Sequence, residues 1–512
     1  MQQRTDGPSG TASVTTGTSH IALADLATVG VFTALYAPYV AHAAVTRAFW
    51  LDELFTFYIV TMPDWAGMFD LIRRGPDQNP PLFYVVTRLL VGCFGESEWV
   101  FRLPAMVGYW VLCVALYFLG RRLGGSPVGL VAMATPVVTG AVFYATEARP
   151  YSLMLGCFGV GLVCYALVAD AAQSPARRRS AVLGLGGALT LAAAFHYFAV
   201  LPMVCLGLAE LYRTWRTGRR RWAVWAALVT PLGVLASNWM LLTEQTKLPY
   251  WREQLLWLEL PYFYDWLCNT PACLALLALM AVVGWLDWRT CRTLNPVEPP
   301  AAVPGPEWSA LGVLLVVVLP VGWMTLMQLT GQTLFTRRYL LPAVVGLSIL
   351  IVHAIRRLTA HNARRLTLGV WATLTTLTLT ATLQPWRLTP PSTEGVADLP
   401  DRNRPIIVGI QNYLPLKHYF GAQLPQVVYV FGVMTYPQPD DPTRGLRALL
   451  NNPRTPRFED PNAFFRRHHR FYVVYRKQSV LHEADLLLTL FEQHAPKLVR
   501  ATDKYFVYDF SD

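Results

Sequence analysis

The sequence predicts an all-α polytopic membrane bundle followed by a small C-terminal α/β domain, on three observations. Of 512 residues, 54% are hydrophobic and only 15% charged, against about 25% charged in soluble proteins. Apolar runs near the ~20 residues that cross ~30 Å of hydrocarbon recur through the first three quarters of the chain. Short runs of arginine separate them, as cytoplasmic loops do in multi-pass membrane proteins. An ordinary soluble enzyme is therefore excluded. The 35 Gly and 37 Pro show no period, which removes a collagen-like or low-complexity chain as well.

Taken in order, residues 1–25 are rich in Gly, Ser and Thr without the apolar core of a signal peptide, which predicts a disordered cytoplasmic tail. A transmembrane domain follows over 26–387, its spans expected at about 26–46, 103–120, 127–145, 151–169, 222–243, 268–286, 309–329, 340–355 and 366–383. The apolar stretch 180–212 would be about 50 Å long as one helix, so it is expected to be two short spans turning at His196-Tyr197. That turn leaves Arg177 to Arg179 and Arg213 to Arg221 together on the cytoplasmic side. Pro80 to Phe94 is too short to span without inverting every later basic loop, and is expected to be interfacial. About eleven spans result, with the N-terminus cytoplasmic and a long first outer loop over 47–102. Residues 388–512 alternate strand-like runs (Ile406 to Ile410, Val427 to Phe431, Arg470 to Tyr475, Tyr505 to Phe510) with a helical pattern at Glu483 to His494, and predict an extracytoplasmic α/β domain.

The formal charge of +11 raises a nucleic-acid partner. Its distribution argues against one, because only five of the 43 basic residues are Lys and the arginines fall between apolar runs. The eight cysteines form no C-x-x-C pair and stop at Cys291, so neither a zinc site nor a disulfide-stapled domain is indicated.

Charges are scarce inside the expected spans, which counts against an ion-coupled transporter. They gather at the outer ends in four clusters. Asp52 and Glu53 lie among Phe49, Trp50, Leu51, Leu54 and Phe55, where a carboxylate is costly unless bound or working; the plain alternative is a solvated loop or a helix cap. Glu147 and Arg149 sit at a helix entry marked by Pro150 and Tyr151, and a local ion pair explains them equally well. Arg337 and Arg338, beside Tyr339, contradict the positive-inside tendency, so either an anionic ligand or snorkelling to headgroups accounts for them. His196-Tyr197 fits an interfacial aromatic belt.

The runs Trp50-Leu51-Asp52-Glu53-Leu54-Phe55-Thr56, Asn79-Pro80-Pro81-Leu82-Phe83-Tyr84 and Ser97-Glu98-Trp99-Val100-Phe101-Arg102-Leu103-Pro104 resemble the start of the protein O-mannosyltransferase and aminoarabinose transferase superfamily, the GT-C class. Glu147-Ala148-Arg149-Pro150-Tyr151, His196-Tyr197 and Arg337-Arg338-Tyr339-Leu340-Leu341-Pro342 follow in that superfamily's order, so the likeness covers roughly residues 26–355. It is nearest to the bacterial glycosyltransferase family 39 branch, which includes lipopolysaccharide core galacturonosyltransferase-like members. The tail beyond 388 carries no such likeness.

The resemblance implies an inverting glycosyltransferase in the inner membrane. A sugar would pass from a polyprenyl-phosphate donor to a glycan, lipid or protein acceptor at the extracytoplasmic face. An acceptor hydroxyl needs a base and a leaving phosphate needs positive charge. By likeness Asp52 is the base, Glu53 and Glu147 position the acceptor or hold a divalent cation, and Arg149, Arg337, Arg338 and Tyr339 hold the carrier phosphate, with Tyr151 and His196 lining the substrate site. Metal use stays open. Two other classes stand beside this one: a lipid or glycolipid flippase, and a non-catalytic envelope scaffold.

Overall fold

The computed structural model describes residues 22–170, 173–245, 257–293, 305–331, 335–356, 358–397, 399–401, 403–430, 448–476 and 496–511. The expected N-terminal tail lies outside them apart from its last four residues, as do the helical pattern at Glu483 to His494 and the end of the strand run at Phe431. In chain order α1 (Leu23–Thr46) leads into a first loop that folds as α2 (Leu51–Val60), α3 (Trp65–Arg73) and α4 (Pro81–Phe94). Then come α5 (Glu98–Gly124), α6 (Ser126–Val138), α7 (Tyr151–Ala169), α8 (Pro175–Phe195), α9 (Val200–Thr217), α10 (Trp222–Val229), α11 (Pro231–Ser237) and α12 (Trp239–Gln245). The bundle closes with α13 (Glu259–Cys268), α14 (Pro271–Thr293), α15 (Pro306–Val313), α16 (Leu319–Thr330), α17 (Ala343–Ile355) and α18 (Ala360–Thr382).

The chain is a multi-pass membrane protein. Among the described residues five helices are long and apolar enough to cross a bilayer, including the continuous rod Pro306–Thr330, and a sixth span is the pair Ser126–Val138 and Gly140–Thr146 with a 75° bend. The remaining expected spans are shorter or more polar. The stretch expected as one span over 222–243 is three helices, because Pro231 has no N–H to continue α10 and the backbone breaks again at Asn238. At 14 residues α4 is about 21 Å long, too short to span. Between α8 and α9 the chain turns through a 3₁₀ segment, Tyr197–Ala199, where His196 Nδ1 accepts the Phe198 N–H at 3.1 Å.

The bundle is tightest between α5 and α7, where glycine lets backbones meet. A Cβ on Gly108 would sit 2.6 Å from the Leu153 nitrogen, and one on Gly156 would sit 2.4 Å from the Gly108 oxygen. Such small-residue contacts are how helices associate in lipid, where no hydrophobic force drives them together.

The tail carries a five-stranded mixed sheet in the order β2 (Val427–Val428), β1 (Ile406–Val408), β3 (Phe471–Arg476), β5 (Tyr505–Phe510), β4 (Lys497–Ala501). The first three strands are parallel and the last two antiparallel. Strand alternation splits the sheet's faces. Ile407, Phe471, Val473 and Phe510 pack on Phe464 of the short helix α20 (Pro461–Arg467), while Ile406, Val408, Tyr472, Val474 and Val507 join the core continuous with the helices. On that second side the tail docks at α2 and the residues just before it: Tyr419 Oη of α19 (Ile410–Phe420) accepts the Phe49 N–H at 2.8 Å, and Asn452 Nδ2, later in the tail, donates to the Tyr58 carbonyl of α2 at 2.6 Å.

Candidate functional site

The outer clusters meet at one end of the bundle. Asp52 and Glu53 occupy the first turn of α2, where their charge complements the helix dipole, and helical spacing turns them in different directions. Asp52 stays partly exposed and its Oδ2 accepts a hydrogen bond from Arg338 Nη1 across 286 residues of sequence. Glu53 points inward and is fully buried.

Glu53 is held on every side. Arg102 Nε donates to its Oε1 at 2.8 Å and Nη2 to its Oε2 at 2.7 Å, the Ala148 N–H donates at 2.8 Å, and the Trp50 N–H at 3.4 Å. Arg102, itself fully buried, also donates to the carbonyls of Ala44, Arg47 and Ala48. One forked ion pair thus ties the end of α1, the start of α2, α5 and the Glu147-Arg149 turn into a single frame.

Arg149 does not pair with Glu147, its sequence neighbour. It forks onto Asp77 of the first loop, with Nη2 to Oδ1 at 2.9 Å and Nη1 to Oδ2, and Nη1 also reaches the Asp52 carbonyl at 3.1 Å. Tyr84 Oη and Asn79 Nδ2 donate to the same carboxylate at 2.6 and 2.9 Å. Burial acts to raise the Asp77 pKa, but the Arg149 charge and these hydrogen bonds outweigh it and hold the carboxyl below the usual range.

Arg338 and Tyr339 lie on a 3₁₀ turn, Arg337–Tyr339. The Tyr339 ring stacks flat on Phe198 at 3.9 Å, and His196 packs between Tyr339 and Tyr151, at 6.0 and 4.9 Å from their rings. Burial first, then the Arg149 and Arg338 charges, push the His196 imidazole down to about 3, so it is neutral and its Nδ1 is an acceptor. Arg337 turns aside, its guanidinium over the Trp266 ring at 5.6 Å. The four clusters converge, with Arg337 at the margin.

Glu147 is buried beside this frame and its Oε2 has no hydrogen-bond partner. Burial, then Glu53, raise its pKa to about 8 against the pull of Arg47. Sequence reasoning did not single out Asp77, Arg102 or Arg47. The signal for two of them was present, since Asp77 stands two residues before the quoted Asn79-Pro80 run and Arg102 lies inside the quoted run from Ser97 to Pro104, a charge in an otherwise apolar helix. Among the described residues no group of three or more His, Cys, Asp or Glu comes together in a way that suits a metal. Asp77 and Glu53 are each closed by an arginine fork.

No family model matches the chain, and no curated protein matches it. A solved structure does: ArnT from Cupriavidus metallidurans in the apo state superposes with a TM-score of 0.53 at 14% identity, over 95% of this chain and 98% of that one. The fold is that of ArnT. The same ArnT bound to undecaprenyl phosphate matches at TM-score 0.49 and 13% identity, covering 94% and 97% of the two chains. An oligosaccharyltransferase from Archaeoglobus fulgidus matches at TM-score 0.42 and 10% identity, covering 78% of this chain and 62% of that one. Near-complete coverage of both chains extends the likeness of fold over the tail, where sequence motifs gave none.

Proposed function

We propose that this protein transfers a sugar from a polyprenyl-phosphate donor to a hydroxyl of an envelope acceptor at the extracytoplasmic face, with inversion. The observation that carries the proposal is the meeting of Asp52 with Arg338 and Arg149, three residues from distant segments, at one mouth of a GT-C bundle. Asp52 takes the proton of the acceptor hydroxyl as its oxygen attacks the anomeric carbon. The bond from that carbon to the phosphate oxygen breaks, and the electron pair leaves on the carrier phosphate. Arg338 and Arg149 stabilise the charge that develops there.

Glu53 acts in this account through position. Its fork to Arg102 sets the first turn of α2 and so aims Asp52. Asp77 does the same for Arg149, holding the guanidinium plane against rotation. Neutral His196, with Tyr151, Tyr339 and Phe198, lines the apolar wall on which the sugar and the first isoprene units rest. That ArnT has been solved with undecaprenyl phosphate supports a carrier of that chemical class.

The test is incubation of the purified protein with a panel of labelled polyprenyl-phosphate sugars and an envelope extract. Transfer of one label to extract glycan, lipid or protein is the expected result. A folded protein that moves no label, while translocating the intact lipid across vesicles, would overturn the proposal in favour of a flippase.

A further inference from the structure

At the other end of the bundle lies a cavity of about 960 Å³ that the transfer site does not use. Its place follows from helix length. Arg102 and Arg121 are both on α5, 19 residues apart, so the cavity is about 28 Å from the Glu53–Arg102 lock. That is one hydrocarbon thickness.

The lining divides by chemistry. Phe118, Leu119, Val163, Ala166, Leu167 and Ala181 form an apolar wall along α5, α7 and α8. At its rim stand Arg121, Arg122 and Arg177, with Ser126, Gln173 and Ser180. Two carboxylates orient this rim: Arg121 Nε forms an ion pair with Asp25 Oδ1 at 2.8 Å, and Arg122 pairs with Asp170. Arg178 reaches the Asp170 carbonyl at 3.3 Å. Three lining arginines against two carboxylates leave the described rim positive. The carboxylates fix the guanidinium forks in place, which lowers the ordering cost of binding an anion.

We propose that this cavity seats an anionic phospholipid of the leaflet opposite the transfer site, its phosphate against Arg121, Arg122 and Arg177 and one acyl chain along the Phe118–Leu167 wall. An amphipathic cleft with basic residues at headgroup depth suits such a lipid. A soluble phosphate would leave the apolar wall unfilled, and a zwitterionic lipid would bring a cation against the arginines.

The test is native mass spectrometry of the full-length protein in detergent, titrated with dioleoyl-phosphatidylglycerol, dioleoyl-phosphatidylethanolamine or inorganic phosphate. Phosphatidylglycerol retention should exceed phosphatidylethanolamine retention about tenfold, and inorganic phosphate should neither bind nor displace the lipid. Arg177→Gln should lower that retention about fivefold through lost charge. Ser180→Trp should lower it by filling the cavity with every arginine intact, and melting temperatures measured without lipid are to match wild type in both variants as the check that they fold. Equal retention of the two lipids, unchanged retention in both variants, or binding of inorganic phosphate as tight as that of the lipid would each overturn the proposal. Loss of glycosyl transfer would bear on the proposed function alone, because the readout here is bound lipid.

Discussion

At the scale of residues, the two adjacent arginines have different work. Arg338 touches Asp52 while Arg337 covers Trp266, and nothing in the dipeptide distinguishes them. A phosphate contact depends on the guanidinium fork, whereas snorkelling needs only a long stem and a cation. Arg338→Lys is therefore expected to lower kcat/KM roughly tenfold to hundredfold, and Arg337→Lys to change it less than about threefold, in a donor-saturation assay. Equal losses would assign both to the carrier. Glu147 gives a second expectation. Its folded pKa of about 8 lies above the ~4.3 of a free glutamate, so the folded state holds a proton that the unfolded chain has released. Its contribution to stability is complete below the unfolded pKa and is lost as pH rises through about 8. Melting temperatures of wild type should thus fall between about pH 5 and 8.5 more than those of Glu147→Gln, and parallel curves would contradict the burial argument. His196, neutral when folded but protonated below about pH 6.5 when unfolded, should add stability as pH rises from about 5 to 6.5 in both proteins, so the difference between the two curves isolates Glu147.

At the scale of elements, what holds the transfer site is the Glu53–Arg102 fork between α2 and α5. Breaking one partner strands a buried charge, so Arg102→Met is expected to cost about 3–5 kcal/mol of stability, and adding Glu53→Gln to recover part of that loss, by thermal unfolding in detergent. A single variant as stable as wild type would show the frame to be dispensable. This fork marks the boundary of what sequence discloses. That the charged motifs share one end of the bundle was legible, because the lengths of the apolar runs set their depth. The turn at His196 was legible too, since no single helix fits 180–212. Partners were not. Glu53 finds Arg102 49 residues on, and Arg149 passes over Glu147 for Asp77, 72 residues back, because pairing in a bundle depends on which helix ends share a depth. Local spacing allowed a Glu147–Arg149 pair as readily as a functional role, and the extended backbone at Glu147 turns that carboxyl inward instead.

At the scale of the whole molecule, the tail is fastened to the loop that bears Asp52. Thr389 donates its N–H to the Thr46 carbonyl at 2.7 Å, and Arg454 reaches Glu96 at 2.5 Å. The tail and the first loop must then lie on one side of the membrane. Asp460→Cys, at an exposed helix cap, should react with a membrane-impermeant maleimide before the inner membrane is permeabilised, and labelling only afterwards would invert the topology. The sheet's existence was legible from alternating runs at 406, 470 and 505, but its docking on α2 was not, since Tyr419 and Asn452 carry no pattern that names a partner. The central claim is that Asp52, framed by these contacts, is the base of a sugar transfer. Its most direct test is the single-turnover transfer rate of Asp52→Asn, which keeps shape and an oxygen for Arg338 but removes the negative charge and with it the proton acceptor. A folded Asp52→Asn protein that still binds donor should be slower by about 10² to 10⁴, and a rate near wild type would contradict the account.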